Sequence, residues 1–259
     1  MKKLIAFITV MILATQIFGA KSYHPKDLIT VERKVDAFNS VKVSGPVEVI
    51  IITGCEQKLL IKGESRYLDN VETYTQNGEL IINITGKLKI KGQFDPYRVE
   101  VFVDDINKLT ASGACSVDFP EKTLFENFTL TSSGVAKTTF SNVEVTGVFE
   151  ANISGASRLD IIGRLNKTKF GGSGACNIFF KGNAQNVSLG ISGACKSTIN
   201  AETENIDINA SGVCKVTLTG HTNSLWLEAS GATSVISDRF KAENRKVSFS
   251  GAAKISIFD

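Results

Sequence analysis

The chain has 259 residues, which is enough for one or two domains with a substantial buried core. Its net charge at pH 7 is only +3, so the charge balance alone does not indicate a nucleic-acid-binding protein. Gly, Val, Ile, Ser and Thr are abundant, and no long amphipathic helix pattern is present. This composition predicts an all-β protein.

The first twenty residues differ from the rest of the chain. Lys2 and Lys3 precede an apolar run that ends at Phe18, and two small residues, Gly19 and Ala20, follow it. This order is typical of a secretory signal peptide, and the run is too short for a comfortable membrane span. We predict a signal peptide over residues 1–20, with a retained anchor as the alternative, and a flexible leader over residues 21–29. The mature chain, with no transmembrane segment, is then expected in the periplasm, on the outer surface or secreted.

Residues 30–110 are predicted to form an N-terminal β region. Apolar and polar residues alternate on both sides of Gly45-Pro46, which indicates two short strands joined by a bend. Asn77-Gly78 lies between two further strand patterns, and this dipeptide is the strongest local signal for a β-hairpin.

From residue 111 to residue 259 a short phrase recurs, in which Ser-Gly is followed by a small residue. Successive serines are 21, 21, 19, 19, 19, 19 and 20 residues apart. A fixed period of this length is the signature of a repeat architecture. The repeat serines are Ser112, Ser133, Ser154, Ser173, Ser192, Ser211, Ser230 and Ser250.

Apolar and polar residues alternate on both sides of each repeat serine. Val187, Leu189 and Ile191 precede Ser192 at odd spacings, and the corresponding positions in the other repeats are also apolar. Period-two alternation in both arms predicts strand, turn and strand. A unit of about twenty residues must stack on its neighbours to bury its apolar side. We therefore predict a right-handed parallel β-helix, a solenoid of about eight coils of ~20 residues each. A sandwich of hairpins is the competing architecture.

Four of the five cysteines occupy one position of the repeat, three residues after the serine. They are Cys115, Cys176, Cys195 and Cys214, and other repeats place Ala, Ser or Thr there. The position therefore accepts any small side chain, which favours packing over disulfides as the role of these cysteines. A zinc site is the alternative, but thiols along one axis lack tetrahedral convergence. We predict no metal and no cofactor.

Basic residues recur four residues after the repeat serine. Five of the eight side chains at this position are cationic: Lys137, Arg158, Lys196, Lys215 and Lys254. In a solenoid they would form a positive stripe, which could bind an anionic envelope glycan. The alternative is that the lysines only discourage aggregation of a flat sheet face. Trp226, on the exposed side of its strand, is a candidate sugar-stacking residue.

No catalytic residues are predicted. Asp118 and Asp160 are two coils apart at one position of the repeat, a distance compatible with an acid/base pair, but exposed aspartates on a solenoid more often serve solubility. His221 is assigned to a loop and His24 to the leader, and neither has a nucleophile or ligand partner nearby in sequence.

The strands from Phe38 to Ile51, the hairpin arm from Gly78 to Ile82 and the Ser-Gly-Ala phrase together resemble a known bacterial family. This family is called putative autotransporter adhesin, head GIN domain, and the resemblance covers roughly Val31 to Phe258. It implies an exported all-β protein with β-helix coils, no established activity and no catalytic residues. We expect a non-enzymatic envelope or surface binding protein, whose partner is an envelope polysaccharide or a surface protein and not a nucleic acid. The alternatives are a β-helix carbohydrate-active enzyme, of the polysaccharide lyase or hydrolase type, and a structural envelope component.

Overall fold

The computed structural model describes residues 28–85 and 97–256. The predicted signal peptide and most of the predicted leader lie outside the described residues. The first strand begins at Leu28, so it includes the last two residues of that leader. Within the two described ranges, we find no helix with the length and apolarity that a membrane crossing requires.

The described residues form seventeen strands and one short 3-10 helix, which confirms the predicted all-β fold. In chain order the elements are β1 Leu28–Arg33, β2 Ser40–Ser44, β3 Glu48–Thr53, β4 Lys58–Glu64, the 3-10 helix Ser65–Asn70, β5 Val71–Gln76, β6 Glu79–Ile84, β7 Tyr97–Val103, β8 Lys108–Ser112, β9 Ser116–Phe125, β10 Phe128–Ser132, β11 Lys137–Ile153, β12 Arg158–Gly172, β13 Asn177–Ile191, β14 Lys196–Ala210, β15 Lys215–Ala229, β16 Ser234–Phe249 and β17 Lys254–Ser256.

The repeats stack as a parallel β-solenoid of about seven turns, close to the predicted eight coils. From β11 to β16 each strand pairs in parallel with the next, and equal positions of successive repeats lie side by side. The turns stack as well, because the amide of Ala194 donates to the carbonyl of Gly174 at 2.7 Å. Each coil therefore satisfies its backbone groups on the coils above and below it.

The N-terminal region contributes two further coils to the same stack. Strands β2 and β3 pair in parallel with β8 and β9, so Ser44-Gly45 forms a turn in line with the repeat turns. Strands β6 and β7 pair in parallel with the other edges of β2 and β3. The boundary predicted at residue 110 falls within β8, and the stack continues on both sides of it.

Antiparallel strands cover the N-terminal end of the stack. Strand β4 pairs with β7, and β1 pairs with β4, in both cases antiparallel. Strand β5 forms the predicted hairpin with β6, and Asn77 and Gly78 at its tip have φ values of 53° and 74°. These positive values are what a tight hairpin turn requires.

The inward positions fill one continuous apolar core along the axis. Val187, Leu189 and Ile191 are buried, as predicted, and so are the equal positions of the neighbouring coils. Phenylalanine rings stack between coils in the N-terminal half of the repeats, where the ring centroids of Phe119 and Phe140 are 4.4 Å apart. Each coil thus shields the apolar side of the next.

The structure corrects the interpretation of the cysteines. Cys176 and Cys195 are joined by a disulfide, with their Cα atoms 4.7 Å apart, so packing is not their whole role. The physical reason is that equal positions on adjacent coils approach within the Cα separation that a disulfide needs. Cys115 and Cys214 are free and buried, as the packing interpretation requires.

Candidate functional site

The second arm of each coil, which follows the Ser-Gly turn, begins with the residues of the predicted positive stripe. The register places them in one straight column: Ser116, Lys137, Arg158, Asn177, Lys196, Lys215, Ser234 and Lys254. All five cationic side chains are exposed. We call these five residues the basic column. Six coil steps separate Lys137 from Lys254, or about 29 Å at ~4.8 Å per step.

Most charges of the basic column lack a counter-charge among residues 28–85 and 97–256. Arg158 donates from Nε to Oδ2 of Asp160 at 2.7 Å, and this bond together with the charge of Asp160 raises the pKa of the guanidinium. The four lysines form no ion pair with any residue of the described ranges. Four cations are therefore available to an outside anion.

Four of the five cations in the basic column lie in adjacent pairs. Lys137 is directly beside Arg158, and Lys196 is directly beside Lys215. Like charges on facing positions of neighbouring strands destabilise a sheet. An anionic ligand lying along the column would relieve that repulsion.

Trp226 lies on the first arm of its coil, across the Ser-Gly turn from the basic column, so the two predicted features do not form one site. Its side chain is 48% exposed, and it lies in register between Asp207 and Lys246. Lys246 Nζ is 4.3 Å from the centroid of the indole ring. The ring borders a cleft of about 480 Å³ that Asn205, Asp207 and Asn244 also line. An aromatic ring beside polar side chains and a cation can hold a sugar ring.

The predicted carboxylates lie in register but do not converge. Asp118 and Asp160 flank Thr139 in one column, two coils apart. Ser116 donates to Asp118 at 3.1 Å, and Arg158 engages Asp160. Each carboxylate is therefore held on its own coil. Within residues 28–85 and 97–256, no three His, Cys, Asp or Glu side chains are grouped in a way that could hold a metal ion.

A groove that the sequence interpretation missed runs along the corner where strands β11 to β15 bend. Its volume is about 710 Å³, and each of five coils supplies two polar residues with one inward residue between them. We call it the corner groove. Its paired residues are Glu144 and Thr146, Arg164 and Asn166, Asn183 and Gln185, Glu202 and Glu204, and His221 and Asn223.

The corner groove also corrects the assignment of His221. This residue lies within strand β15 and not in a loop, because the parallel ladder continues through it to Glu202 and Lys241. Its Nε2 atom is 3.6 Å from Oε1 of Glu243 on the next coil. The groove residues of four coils lie ten and twelve residues after a repeat serine, so the signal for them was the same spacing that identified the basic column.

Comparisons with known proteins agree with this architecture. The family described as "Putative auto-transporter adhesin, head GIN domain" matches residues 37–179 and 165–259. A putative adhesin from Parabacteroides merdae has a similar structure, with a TM-score of 0.74 and 16% identity over 89% of this chain and 97% of that chain.

A putative adhesin from Parabacteroides distasonis gives a TM-score of 0.70 at 15% identity, over 88% of this chain and 97% of that chain. A putative lipid binding protein from the same species gives 0.64 at 14% identity, over 90% of this chain and 97% of that one. At such identities the likeness shows the fold alone. No protein with a curated function matches the sequence.

Proposed function

The chain belongs to the family described as "Putative auto-transporter adhesin, head GIN domain", and from this premise we propose that it is an exported, non-enzymatic binding protein of the bacterial cell envelope. Its ligand is an anionic glycan, bound along the basic column. Its place of action is the periplasm, the outer surface or the medium. The observation that carries this proposal is the row of exposed cations, four of which have no ion pair within the described chain.

The geometry of the basic column suits an extended polymer better than a compact ligand. Cations recur over about 29 Å on one straight line, with successive coils ~4.8 Å apart. A linear chain with carboxylates or sulfates at intervals can contact several of these cations together. Each exposed ion pair contributes only about 0.2–1 kcal/mol, so affinity depends on several contacts at once.

Trp226 and Lys246 supply a second contact for an anionic glycan. A uronic acid ring stacked at the indole could pair its carboxylate with Lys246, whose Nζ already lies 4.3 Å from the ring centroid. This contact is on the other arm of the coil, so it would engage a second segment of the glycan or a second chain.

A carbohydrate-active enzyme is the other function to consider, because Glu202 and Glu204 flank the corner groove on one coil. A general acid at neutral pH needs a carboxyl group whose environment favours the protonated form, which burial provides. Both glutamates are exposed to solvent. We therefore propose binding without turnover. New reducing ends released from a polysaccharide by the protein, and lost in the E202Q/E204Q variant, would contradict this proposal.

The test of glycan binding compares the protein with a variant in which four cations of the basic column are replaced. The variant is K137S/R158S/K196S/K215S, and a matched control, K34S/K42S/K167S/K181S, carries the same change of net charge elsewhere. On immobilised heparin we expect the column variant to bind roughly ten- to a hundredfold more weakly than the protein, because several ion pairs are lost together.

The control should elute from heparin at nearly the salt concentration of the unchanged protein. Trp226→Ala should elute at a lower salt concentration than the unchanged protein. Equal elution of the column variant and the control would show that only net charge matters. Unaltered retention of the column variant would overturn the proposal.

A further inference from the structure

We propose that the corner groove is a second binding site, for a linear neutral polysaccharide that lies parallel to the solenoid axis. The groove is the largest of the clefts described above, at about 710 Å³. It is separate from the basic column and does not depend on the function proposed for that column.

The shape of the groove fits an extended sugar chain. Each coil adds two polar residues to the groove, because residues two apart in a strand point to the same side. Over five coils they form two parallel rows, which we call its walls. The inward residues between them, such as Leu165 and Ala184, are buried and form the floor. Four coil steps of ~4.8 Å give a length of about 19 Å, and an extended β-linked pyranose chain repeats at close to one coil step. About four sugar units would therefore each lie beside one pair of polar side chains.

The side chains on the walls suit hydroxyl groups. Asn183 and Gln185 both line the groove on one coil, and each amide can donate and accept hydrogen bonds. Glu202 and Glu204 flank the next coil, and a carboxylate accepts strongly from adjacent hydroxyls. None of these four side chains has a hydrogen bond or ion pair with another residue of the described chain.

Other groove residues are already held in place by the protein. Asn166 Nδ2 donates to the carbonyl of Thr146 at 2.7 Å, which fixes the amide and leaves its oxygen for a ligand. Glu144 Oε2 is 3.5 Å from Lys122 Nζ, so this charge is partly neutralised. Side chains ordered before binding lose less entropy when a ligand arrives.

The charge of the groove selects against the ligand of the basic column. Glu202 and Glu204 lie together on the fourth of its five coils without a cationic partner in the described residues, and Arg164 is two coils away from Glu202, beyond Asn183. An anionic chain would meet repulsion there. A neutral chain would not, which is why we assign the groove to a neutral polysaccharide.

The experiment uses the full chain and four neutral hexasaccharides as probes: cellohexaose, chitohexaose, laminarihexaose and mannohexaose. Titration calorimetry should detect binding of at least one. In the N183A/Q185A variant we expect the affinity for that probe to fall about tenfold, because the variant lacks two amide groups that would form hydrogen bonds with the bound sugar. The E202Q/E204Q variant, which keeps the shape of the groove, should weaken the same probe by a smaller factor.

The matched control is N200A/N209A, which removes two amides from outward positions outside the groove. It should bind the probe as the unchanged protein does, and both amide variants should keep their retention on heparin. The proposal is overturned if no probe binds, if N183A/Q185A binds as tightly as the control, or if heparin displaces the neutral probe. Heparin retention itself reports on the basic column and Trp226 and not on the groove, so the two proposals fail separately.

Discussion

The residue three positions after each repeat serine determines how closely the turn can pack. Cys214 donates from Sγ to the carbonyl of Ser211 at 3.0 Å, and Thr233 donates from Oγ1 to the carbonyl of Ser230 at 2.8 Å. Ala136 fills the same position without a donor and is equally buried. This position therefore requires a small side chain. A hydrogen bond from that side chain to the serine carbonyl is not needed for the turn to form.

Burial at this position also gives the protein a specific dependence on pH. Cys115 is buried, which raises the pKa of its thiol from 9.0 to about 11. At pH 8 the thiol is almost fully protonated in both the folded and the unfolded chain. As the pH rises towards 11 the unfolded chain ionises first, so the free energy of unfolding falls.

Between pH 8 and pH 11 the free energy of unfolding should fall less in Cys115→Ala than in the unchanged protein. We expect the two decreases to differ by about 2 kcal/mol. Alanine occupies the same position in other coils, so the variant should fold. Urea unfolding at the two pH values measures the difference, and the comparison cancels the contributions of lysines and tyrosines. Equal losses in both proteins would show that the thiol ionises as readily in the folded state.

At the scale of the element, the Ser-Gly turn needs glycine for two reasons. Gly193 has a φ of 84°, a conformation that other residues rarely adopt. A Cβ atom at this position would also lie 2.7 Å from the carbonyl oxygen of Gly174 on the preceding coil. The turn is therefore restricted both by its own backbone and by the stack.

We expect Gly193→Ala to lower the free energy of unfolding by about 2–3 kcal/mol, the sum of backbone strain and displacement of the neighbouring turn. The control is Gly190→Ala, three residues earlier, where a Cβ atom would meet nothing within 4 Å. This control should change stability by less than about 0.5 kcal/mol. Urea unfolding distinguishes them, and a similar effect of both substitutions would contradict the role given to the turn.

Elements with a repeated or local signal could be predicted from the sequence, and the others could not. The hairpin followed from Asn77-Gly78, and the inward and basic columns followed from the spacing of the serines. The bend at Gly45-Pro46 also followed from local alternation, but its stacking on the repeat turns did not, because its partner Ser112 is 68 residues away from Ser44. The pairing of Cys176 with Cys195 was equally hidden, since Cys214 on the next coil is in the same register.

The corner groove shows a further limit of sequence interpretation. Its residues differ in type from coil to coil, so no repeated letter marks them. Their meaning comes from the bend of the strands, which brings amides, carboxylates and a histidine to the walls of one cleft. The repeat period predicts which residues share a column on the surface. Whether that surface is concave depends on the path of the backbone.

At the scale of the whole molecule, the solenoid keeps its surfaces apart while sharing one core. The basic column and Trp226 lie on opposite sides of the Ser-Gly turn, and the corner groove lies where the second arm of one coil bends into the first arm of the next. Each coil contributes one position to the basic column and, from β11 to β15, two to the corner groove. The length of any binding surface is therefore set by the number of coils.

Nearest-neighbour stacking predicts that one whole coil can be removed. Deleting residues 196–214 joins Cys195 to Lys215, which takes the place of Lys196 because these two residues are partners in the ladder. The inward residues brought into contact are of similar size, with Leu218 in place of Ile199 and Leu227 in place of Ile208. We expect a folded protein with a slightly lower urea m value, since less surface is exposed on unfolding.

A deletion of residues 196–209 is the control, because it removes part of a coil and shifts the inward residues that follow out of register. It should unfold at much lower urea or fail to fold, as judged by circular dichroism. If the whole-coil deletion is as unstable as this control, the coils do not act as interchangeable units. If the whole-coil deletion folds, it should bind heparin more weakly, because it lacks Lys196. Its corner groove should also lack the carboxylates of Glu202 and Glu204, since the number of coils determines the extent of each surface.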